Sequence, residues 1–334
     1  MSSERDGGRH SSGMHKLARL AASPWVRAAV TLSLLGLVAS GLDWSQVAQR
    51  LRDGRPIDFA FAVVLVVLAL VVGAWRWRAL LNRAGVPLGL SRLARIYAVS
   101  TFSATFLPST AGGDVSRALL VARRGPQLRR AVVSILVDRI GGLAGLVVVA
   151  WIAFALAPDR VPHDARALLL WSTVALALAG AVALIAMLRG PRLLRRIVPQ
   201  RLAGTAHDMR AVLTGYARDP RLLVTWLVLS VAYQALIAFQ LVVLAHAIDV
   251  ELSFATAAVA LALVTLITLI PISIGGFGVR EGSYVVLLGG VSIAASDATL
   301  ISVLSAATLL VASLPGAWMI ARGNVGAVPE VAVS

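Results

Sequence analysis

Long apolar runs without a charged side chain alternate along the chain with short basic or mixed-charge segments. The runs cover residues 28–42, 59–75, 140–158, 167–188, 222–248, 252–279 and 298–321. About 20 apolar residues in a helix are needed to cross the hydrocarbon core of a bilayer. The pattern therefore predicts an all-α polytopic integral membrane protein, with a single bundle of helices accounting for the whole length.

Two apolar stretches contain residues that a continuous helix avoids, since Pro lacks a backbone N–H and Gly is a poor helix former. The breaks are at Pro108, Gly112 and Gly113, and at Pro271, Gly275 and Gly276. Basic residues flank the first stretch on both sides, and acidic residues flank the second on both sides. Each stretch should therefore enter and leave the membrane on one side. We predict about six full spans, including one long helix at 131–157, and two re-entrant hairpins at about 91–130 and 252–296.

The basic residues lie in alternate connections, which predicts the orientation of the bundle. Residues 76–95 carry five Arg and no acid, and residues 189–221 carry eight Arg against two Asp. Lys and Arg collect in cytoplasmic connections, so both termini should be cytoplasmic. Residues 1–41 also resemble a secretory signal, and their cleavage stays open. The expected organisation is a disordered tail at 1–27, one transmembrane domain at 28–322 and a short cytoplasmic tail at 323–334.

Composition excludes several classes of protein. The 334 residues are 58% hydrophobic and only 14% charged, which does not fit a soluble globule. The net charge of +15 follows from the basic connections, so we do not expect nucleic acid as a partner. The chain has no Cys, its five His are scattered, and no catalytic motif is present. We expect no metal, no cofactor and no enzymatic activity.

The two broken segments share a pattern, T-x-x-P-x-x-x-G-G-x-x-x-R, at Thr105–Arg117 and Thr268–Arg280. The copies are 163 residues apart, about half the chain. The charge pattern assigns them to opposite faces, which is typical of inverted repeats that bind a substrate near the membrane midplane. The repeat therefore indicates a site between the two hairpins.

The residue types at this site suit an anion. A helix that begins after each Gly pair would present free N–H groups, and Arg117 and Arg280, about one turn into those helices, match a phosphate bidentately. The alternative is that Pro and Gly only form a tightly packed turn, and that the side chains of Arg117 and Arg280 extend to the membrane–water interface. The candidate binding residues are Gly112, Gly113, Asp114, Arg117, Asp138, Arg139, Gly275, Gly276, Arg280 and Glu281, with Pro108 and Pro271 as the hairpin breaks.

The charged neighbours of these arginines leave their roles open. Asp114 and Glu281 could be salt-bridge partners, proton carriers or a brake on anion binding. Asp138 and Arg139 are either functional, as ionisable residues within a bundle often are, or an ion pair that ties their helix to the first hairpin. The cluster Trp75–Arg78 is interpreted as an interfacial belt that anchors the second span.

Three strings resemble the lysylphosphatidylglycerol synthase transmembrane family, a flippase-like domain also called UPF0104. They are Leu107–Arg117, Ser134–Arg139 and Pro271–Glu281, the last with G-G-F-G-V-R-E. The resemblance covers about residues 25–322. In bifunctional members this domain is joined to a soluble synthetase. The chain stops at Ser334, so we expect a stand-alone member without aminoacyl transfer.

The resemblance and the repeat together suggest a lipid translocase of the bacterial inner membrane. Its substrate would be an anionic phospholipid or a polyprenyl or glycolipid phosphate, held in the cavity between the hairpins. Two alternatives remain. One is an intramembrane enzyme acting on a lipid phosphate, with Asp114, Asp138 and Glu281 as acid and base groups. The other is a non-transporting partner of a separate glycosyltransferase or synthetase, docked through residues 189–221.

Overall fold

The computed structural model describes residues 32, 33, 36, 40, 44–106, 111–122, 125–178, 180, 203–270, 273 and 276–322. In this part of the chain the backbone forms helices and connecting segments and contains no strand. The helices are α1 (Trp44–Asp53), α2 (Pro56–Arg83), α3 (Leu90–Phe106), α4 (Ala111–Val121), α5 (Gly125–Leu156), α6 (163–178), α7 (Ala203–Ala217), α8 (Pro220–Ala247), α9 (Phe254–Thr268), α10 (Val279–Gly289) and α11 (Ala295–Ala321). The predicted all-α class is confirmed.

Four of these helices, α2, α5, α8 and α11, are long and apolar enough to cross a membrane. They contain 27 to 32 residues, which at about 1.5 Å per residue gives lengths of roughly 40–48 Å. Large apolar side chains such as Val224 and Val228 are exposed on them, as a lipid-facing surface requires. The chain is therefore a multi-pass membrane protein.

The predicted spans correspond well to these helices. The runs at 59–75, 222–248 and 298–321 lie almost entirely within α2, α8 and α11. The predicted long helix at 131–157 is α5, which begins six residues earlier, at Gly125, because Pro126 suits a first helical turn.

Several predicted segments cannot be compared fully with the structure. Of the predicted span at 167–188, residues 167–178 belong to α6 and the rest lies almost wholly outside the described residues. The predicted span at 28–42 falls mostly outside them, and so do both predicted tails.

Each Pro/Gly segment separates two helices that pack against each other. The helix pairs are α3 with α4 and α9 with α10. The breaking residues Pro108, Pro271 and Gly275 lie outside the described residues. The second break includes Gly276 and Gly278, whose φ values of +77° and +81° are in the left-handed region that favours glycine. As expected, α10 begins after the Gly pair.

The corresponding expectation for the first Gly pair is wrong. Because α4 begins at Ala111, Gly112 and Gly113 lie within its first turn, and Arg117 lies nearly two turns into the helix. Gly113 serves close packing, since a Cβ there would lie 2.9 Å from the Cβ of Ala104 on α3.

The order of helices repeats along the chain. The helices α2 and α8 both contain 28 residues and both begin with Pro, at positions 56 and 220. The helices α3 and α9 begin at residues 90 and 254. Both pairs are therefore offset by 164 residues, one more than the offset of the sequence motif.

The equivalent helices α2 and α8 run antiparallel. Near the start of α2, Arg55 donates its backbone N–H to the carbonyl oxygen of Ala247, at the end of α8, over 2.9 Å. Near the end of α2, the Tyr216 hydroxyl, which lies just before α8, donates to the carbonyl oxygen of Leu80 over 2.9 Å. The two halves of the bundle are therefore inverted relative to each other at their centre.

The two halves also exchange contacts symmetrically. The helix α5 of the first half packs against α9 of the second, and α11 of the second half packs against α3 of the first. The crossing of α11 with α3 is very close, because a Cβ at Gly316 would lie 2.4 Å from the carbonyl oxygen of Ala98. Each hairpin is therefore supported by the long helix of the opposite half.

Candidate functional site

A buried arginine, Arg117, is the centre of the polar contacts in the first half. Its Nη2 donates to Oδ1 of Asp114, one turn earlier on α4, over 2.7 Å, and its Nη1 donates to Oδ2 of Asp138 on α5 over 3.1 Å. Only 6% of Arg117 is exposed. An unpaired charge in such a place costs several kcal/mol, so the two carboxylates are what allow the arginine to be there.

Two further arginines complete the cluster. On α2, Nε of Arg76 donates to Oδ1 of Asp138 over 2.7 Å, and its Nη1 donates to the Ser230 hydroxyl over 3.3 Å. Arg139 on α5 pairs with Asp114 and keeps 39% of its side chain exposed. Asp138 thus connects α2 with α4, while Arg139 gives the cluster an accessible side.

Aromatic rings surround the buried guanidinium groups. The Cζ atom of Arg117 lies 5.0 Å from the ring centroid of Trp77 and 4.9 Å from that of Tyr97. The Cζ atom of Arg76 lies 5.5 Å from the centroid of Tyr233. Trp77 is itself fixed, because its Nε1 donates to the Ser134 hydroxyl over 3.0 Å. The rings exclude water and contribute cation–π attraction to each arginine.

Small residues bring the helices of this cluster together. A Cβ at Gly145 on α5 would lie 2.5 Å from the carbonyl carbon of Ser230, and one at Gly141 would lie 2.3 Å from Nε1 of Trp226. Both contacts are with α8, which therefore lies directly against α5. This close approach lets the Ser230 hydroxyl reach Arg76.

Within the described part of the chain, three arginines and two aspartates form the ion pairs of this cluster, and these five side chains together carry one net positive charge. It lies among apolar side chains of the bundle, including Ile135 and Val133. In such surroundings Coulomb interactions are stronger than in water.

The second half has a different arrangement around Glu281, which is 2% exposed. One carboxylate oxygen accepts from the backbone N–H of Gly278 over 2.6 Å, and the other accepts from Nη2 of Arg280 over 2.7 Å and from the Ser302 hydroxyl over 3.3 Å. Arg280 also stacks on Phe277, with 5.2 Å from Cζ to the ring centroid. The start of α10 thus already holds an anion, the carboxylate of Glu281.

The side-chain contacts of the two halves repeat with the same offset of 164 residues as the helices. Arg117 contacts the residue three positions earlier and Asp138, 21 positions later, and Glu281 contacts Gly278 and Ser302 at the same two separations. The structural counterpart of Arg117 is therefore Glu281, whereas the sequence motif aligns Arg117 with Arg280.

The structure brings together only some of the residues predicted from the sequence. Asp114, Arg117, Asp138 and Arg139 form one ion-pair network, and Arg280 and Glu281 form a separate pair. Both acids next to the motif arginines are salt-bridge partners, one of the roles left open. Asp138 and Arg139 tie α5 to the first hairpin.

Arg76 and Trp77 are among the members of the site that sequence reasoning missed. The interpretation of Trp75–Arg78 as an interfacial belt is wrong for Arg76 and Trp77, which are 4% and 0% exposed. A periodic signal was present, because these residues continue a buried face of α2 that includes Ala69 and Gly73 at helical spacing.

The model of the family "Lysylphosphatidylglycerol synthase TM region" matches residues 24–316. The chain belongs to this family. The match includes both hairpins, the Arg117 network and the Arg280–Glu281 pair, so the whole candidate site lies within the family's membrane domain. A comparison with curated proteins finds no match. Within the described residues, no group of three or more His, Asp or Glu side chains is placed to hold a metal ion.

Proposed function

We propose that this protein translocates a lipid with an anionic headgroup across a bacterial inner membrane. The observation that carries the proposal is the ion-pair network of two buried arginines, Arg76 and Arg117, and the partly exposed Arg139 with two aspartates, whose five side chains carry one net positive charge. The anion that this network binds is a phospholipid phosphate or a polyprenyl phosphate. By the positive-inside rule, the ends of α2 and α7 face the cytoplasm.

The network can bind a phosphate without assembling new groups. Asp114 and Asp138 hold the planar guanidinium of Arg117 in place, and arginine has five N–H donors in a fixed geometry. The exposed side of Arg139 is where a headgroup reaches the network. Exchange of a carboxylate contact for a phosphate contact would keep each arginine paired throughout.

The repeat suggests how the site would open alternately to the two sides. Each hairpin packs against the long helix of the opposite half, so a tilt of one half changes the support of both hairpins. Rocking of repeats around a fixed site is the common mechanism of inverted-repeat transporters. In this proposal the hairpins α3–α4 and α9–α10 are the two moving gates.

Headgroup translocation in proteoliposomes tests the proposal, with a panel of labelled anionic phospholipids and polyprenyl phosphates. We expect the wild type to move one lipid class, and Arg117→Gln to reduce the rate at least about tenfold through loss of a charge-assisted bidentate contact. Arg117→Lys keeps the charge but not the guanidinium fork and should be intermediate. Arg322→Gln, at an exposed arginine directly after α11, is the matched control.

Three outcomes would overturn the proposal. They are unchanged movement in a folded Arg117→Gln variant, equal loss in the Arg322→Gln control, and no movement of any lipid by folded wild type. Mass spectrometry of the recovered lipids covers the enzymatic alternative, because a covalently changed lipid would assign the acidic residues to catalysis.

A further inference from the structure

A second basic site lies outside the buried network, on one face of α7. A shallow surface cavity of about 380 Å³, open to solvent, is lined there by Arg210, Ala211, Thr214, Gly215 and Arg218. This volume is within the range of small-molecule sites, about 300–1,000 Å³. The lining residues recur at helical spacing, so they form one stripe along α7.

The opposite face of α7 fixes this stripe in place. Val212 and Tyr216 are buried against α2 and α5, in a cluster that includes Leu80 and Val133. The Tyr216 hydroxyl donates to the carbonyl oxygen of Leu80 over 2.9 Å. Burial raises the pKa of the Tyr216 phenol, so it remains a donor at any physiological pH. The arginine stripe is therefore held at a constant orientation against the bundle.

The arginines of the stripe are available for a ligand. Arg210 and Arg218 are exposed, and within the described part of the chain neither guanidinium has a hydrogen bond or an ion pair. They are eight residues apart, about 12 Å along the helix axis. Two long side chains at this spacing can converge on one anion between them.

A third arginine borders the cavity because Gly215 has no side chain. The Nη1 atom of Arg83 would lie 3.4 Å from a Cβ at this glycine, so the guanidinium of Arg83 lies across the helix at that point. Arg83 also pairs with Asp219 over 3.3 Å, and both side chains remain partly exposed. The site thus combines three guanidinium groups with one carboxylate.

We infer that this cavity binds a phosphate group. Arginine forks match phosphate oxygens bidentately, and three arginines against one aspartate leave room for a dianionic phosphate. The surface next to the cavity indicates a lipid as the source. The helix α8 begins two residues after Arg218, and its first turns expose Leu223, Val224, Leu227 and Val228. An anionic lipid could place its phosphate in the cavity and its acyl chains along α8.

The inference goes beyond the proposed function and does not depend on it. Arg83 follows Arg76 by seven residues on α2, so the cavity is about 10 Å along the helix axis from the buried network. If the protein is a translocase, the cavity is where a lipid phosphate is held before it reaches that network. If it is not, the cavity can still bind the lipid.

The absence of Cys from the sequence allows a local probe of occupancy. Ala211→Cys lines the cavity and can carry an environment-sensitive fluorophore on the full chain in phosphatidylcholine nanodiscs. Titration with short-chain phosphatidic acid should change its emission and saturate. Arg210→Gln/Arg218→Gln should raise the half-saturation concentration at least about tenfold. The control variant Arg95→Gln/Arg221→Gln removes the same amount of charge at the same end of the bundle, but neither residue lines the cavity. It should change the half-saturation concentration less than about twofold.

The remaining arms identify the source of the phosphate. If the ligand is a lipid, glycerol 3-phosphate and inorganic phosphate should compete only weakly with phosphatidic acid. If these two compounds bind as tightly as phosphatidic acid, the ligand is a soluble phosphate compound and the lipid assignment is wrong. Equal weakening in the control variant, or no weakening in the cavity variant, would overturn the site. The titration repeated with Arg117→Gln should be unchanged, which separates failure of this site from failure of the buried network.

Discussion

Arg117 and Glu281 occupy equivalent places in the two halves of the bundle and carry opposite charges. Each lies on the second helix of its hairpin and contacts residues three positions before and 21 positions after it. The first is the centre of a network with a net positive charge, and the second is neutralised by Arg280. The repeat has kept the architecture of the site while its two halves have different chemistry.

Removal of Asp138 should destabilise the protein strongly. Asp138→Ala leaves the guanidinium groups of Arg76 and Arg117 without their shared carboxylate, and breaking a buried pair typically costs about 3–5 kcal/mol. A thermal unfolding assay in detergent should show a large fall in Tm. Asp249→Asn removes the charge from an exposed pair with Arg55, keeps a side chain that tolerates the φ of +56° at this position, and should cost about 0–1 kcal/mol. Equal shifts would contradict the structural role of Asp138.

Gly145 should not tolerate a side chain. In Gly145→Ala the new methyl group would lie 2.5 Å from the backbone of Ser230, so α5 and α8 would have to separate. We expect a loss of at least about 1–3 kcal/mol, as for overpacked cores. Gly282→Ala on α10 is the control, because no atom lies within 4 Å of its Cβ. Its higher helix propensity should leave stability unchanged or improve it by up to about 1 kcal/mol. If Gly145→Ala is as stable as the wild type, α5 and α8 are farther apart at this position than the structure shows.

Arg76 should matter for headgroup movement although it lies outside both motifs. Arg76→Gln removes a cation from the network and leaves Asp138 with one arginine, so the rate in proteoliposomes should fall about as much as in Arg117→Gln. Arg52→Gln, an exposed arginine on α1, should retain the wild-type rate. Full activity of a folded Arg76→Gln variant would restrict the headgroup site to Arg117 and Arg139.

The re-entrant hairpins can be tested by labelling, since every introduced Cys would be unique. Single cysteines at Ser109 and Ser273 should react with an impermeant maleimide from opposite sides of the membrane, because the charge pattern assigns the hairpins to opposite faces. Cysteines at Arg218 and Glu251 mark the two ends of α8 and calibrate the assay. Labelling of both hairpins from one side would overturn the inverted arrangement.

Much of this molecule follows from its one-dimensional pattern. Apolar runs and charge-free stretches predicted the membrane class and the positions of α2, α5, α8 and α11, because a bilayer requires about 20 apolar residues per span. The total of six spans and the re-entrant course of the two hairpins stay predictions. The motif also identified Arg117 and the charged pair Asp138–Arg139. The start of α4 was predicted after Gly113 but lies at Ala111, because Gly112 and Gly113 are compatible with a helical turn.

Only the tertiary structure decided which charges meet. Sequence spacing links Arg117 to Asp114 within one helix, but the contact of Asp138 with both Arg117 and Arg76 requires α2, α4 and α5 to approach within a few ångströms. Likewise the one-residue shift that equates Arg117 with Glu281 is invisible in the motif. A linear pattern encodes which residues prefer the membrane, whereas the pairing of charges is set by distances between segments far apart in the chain.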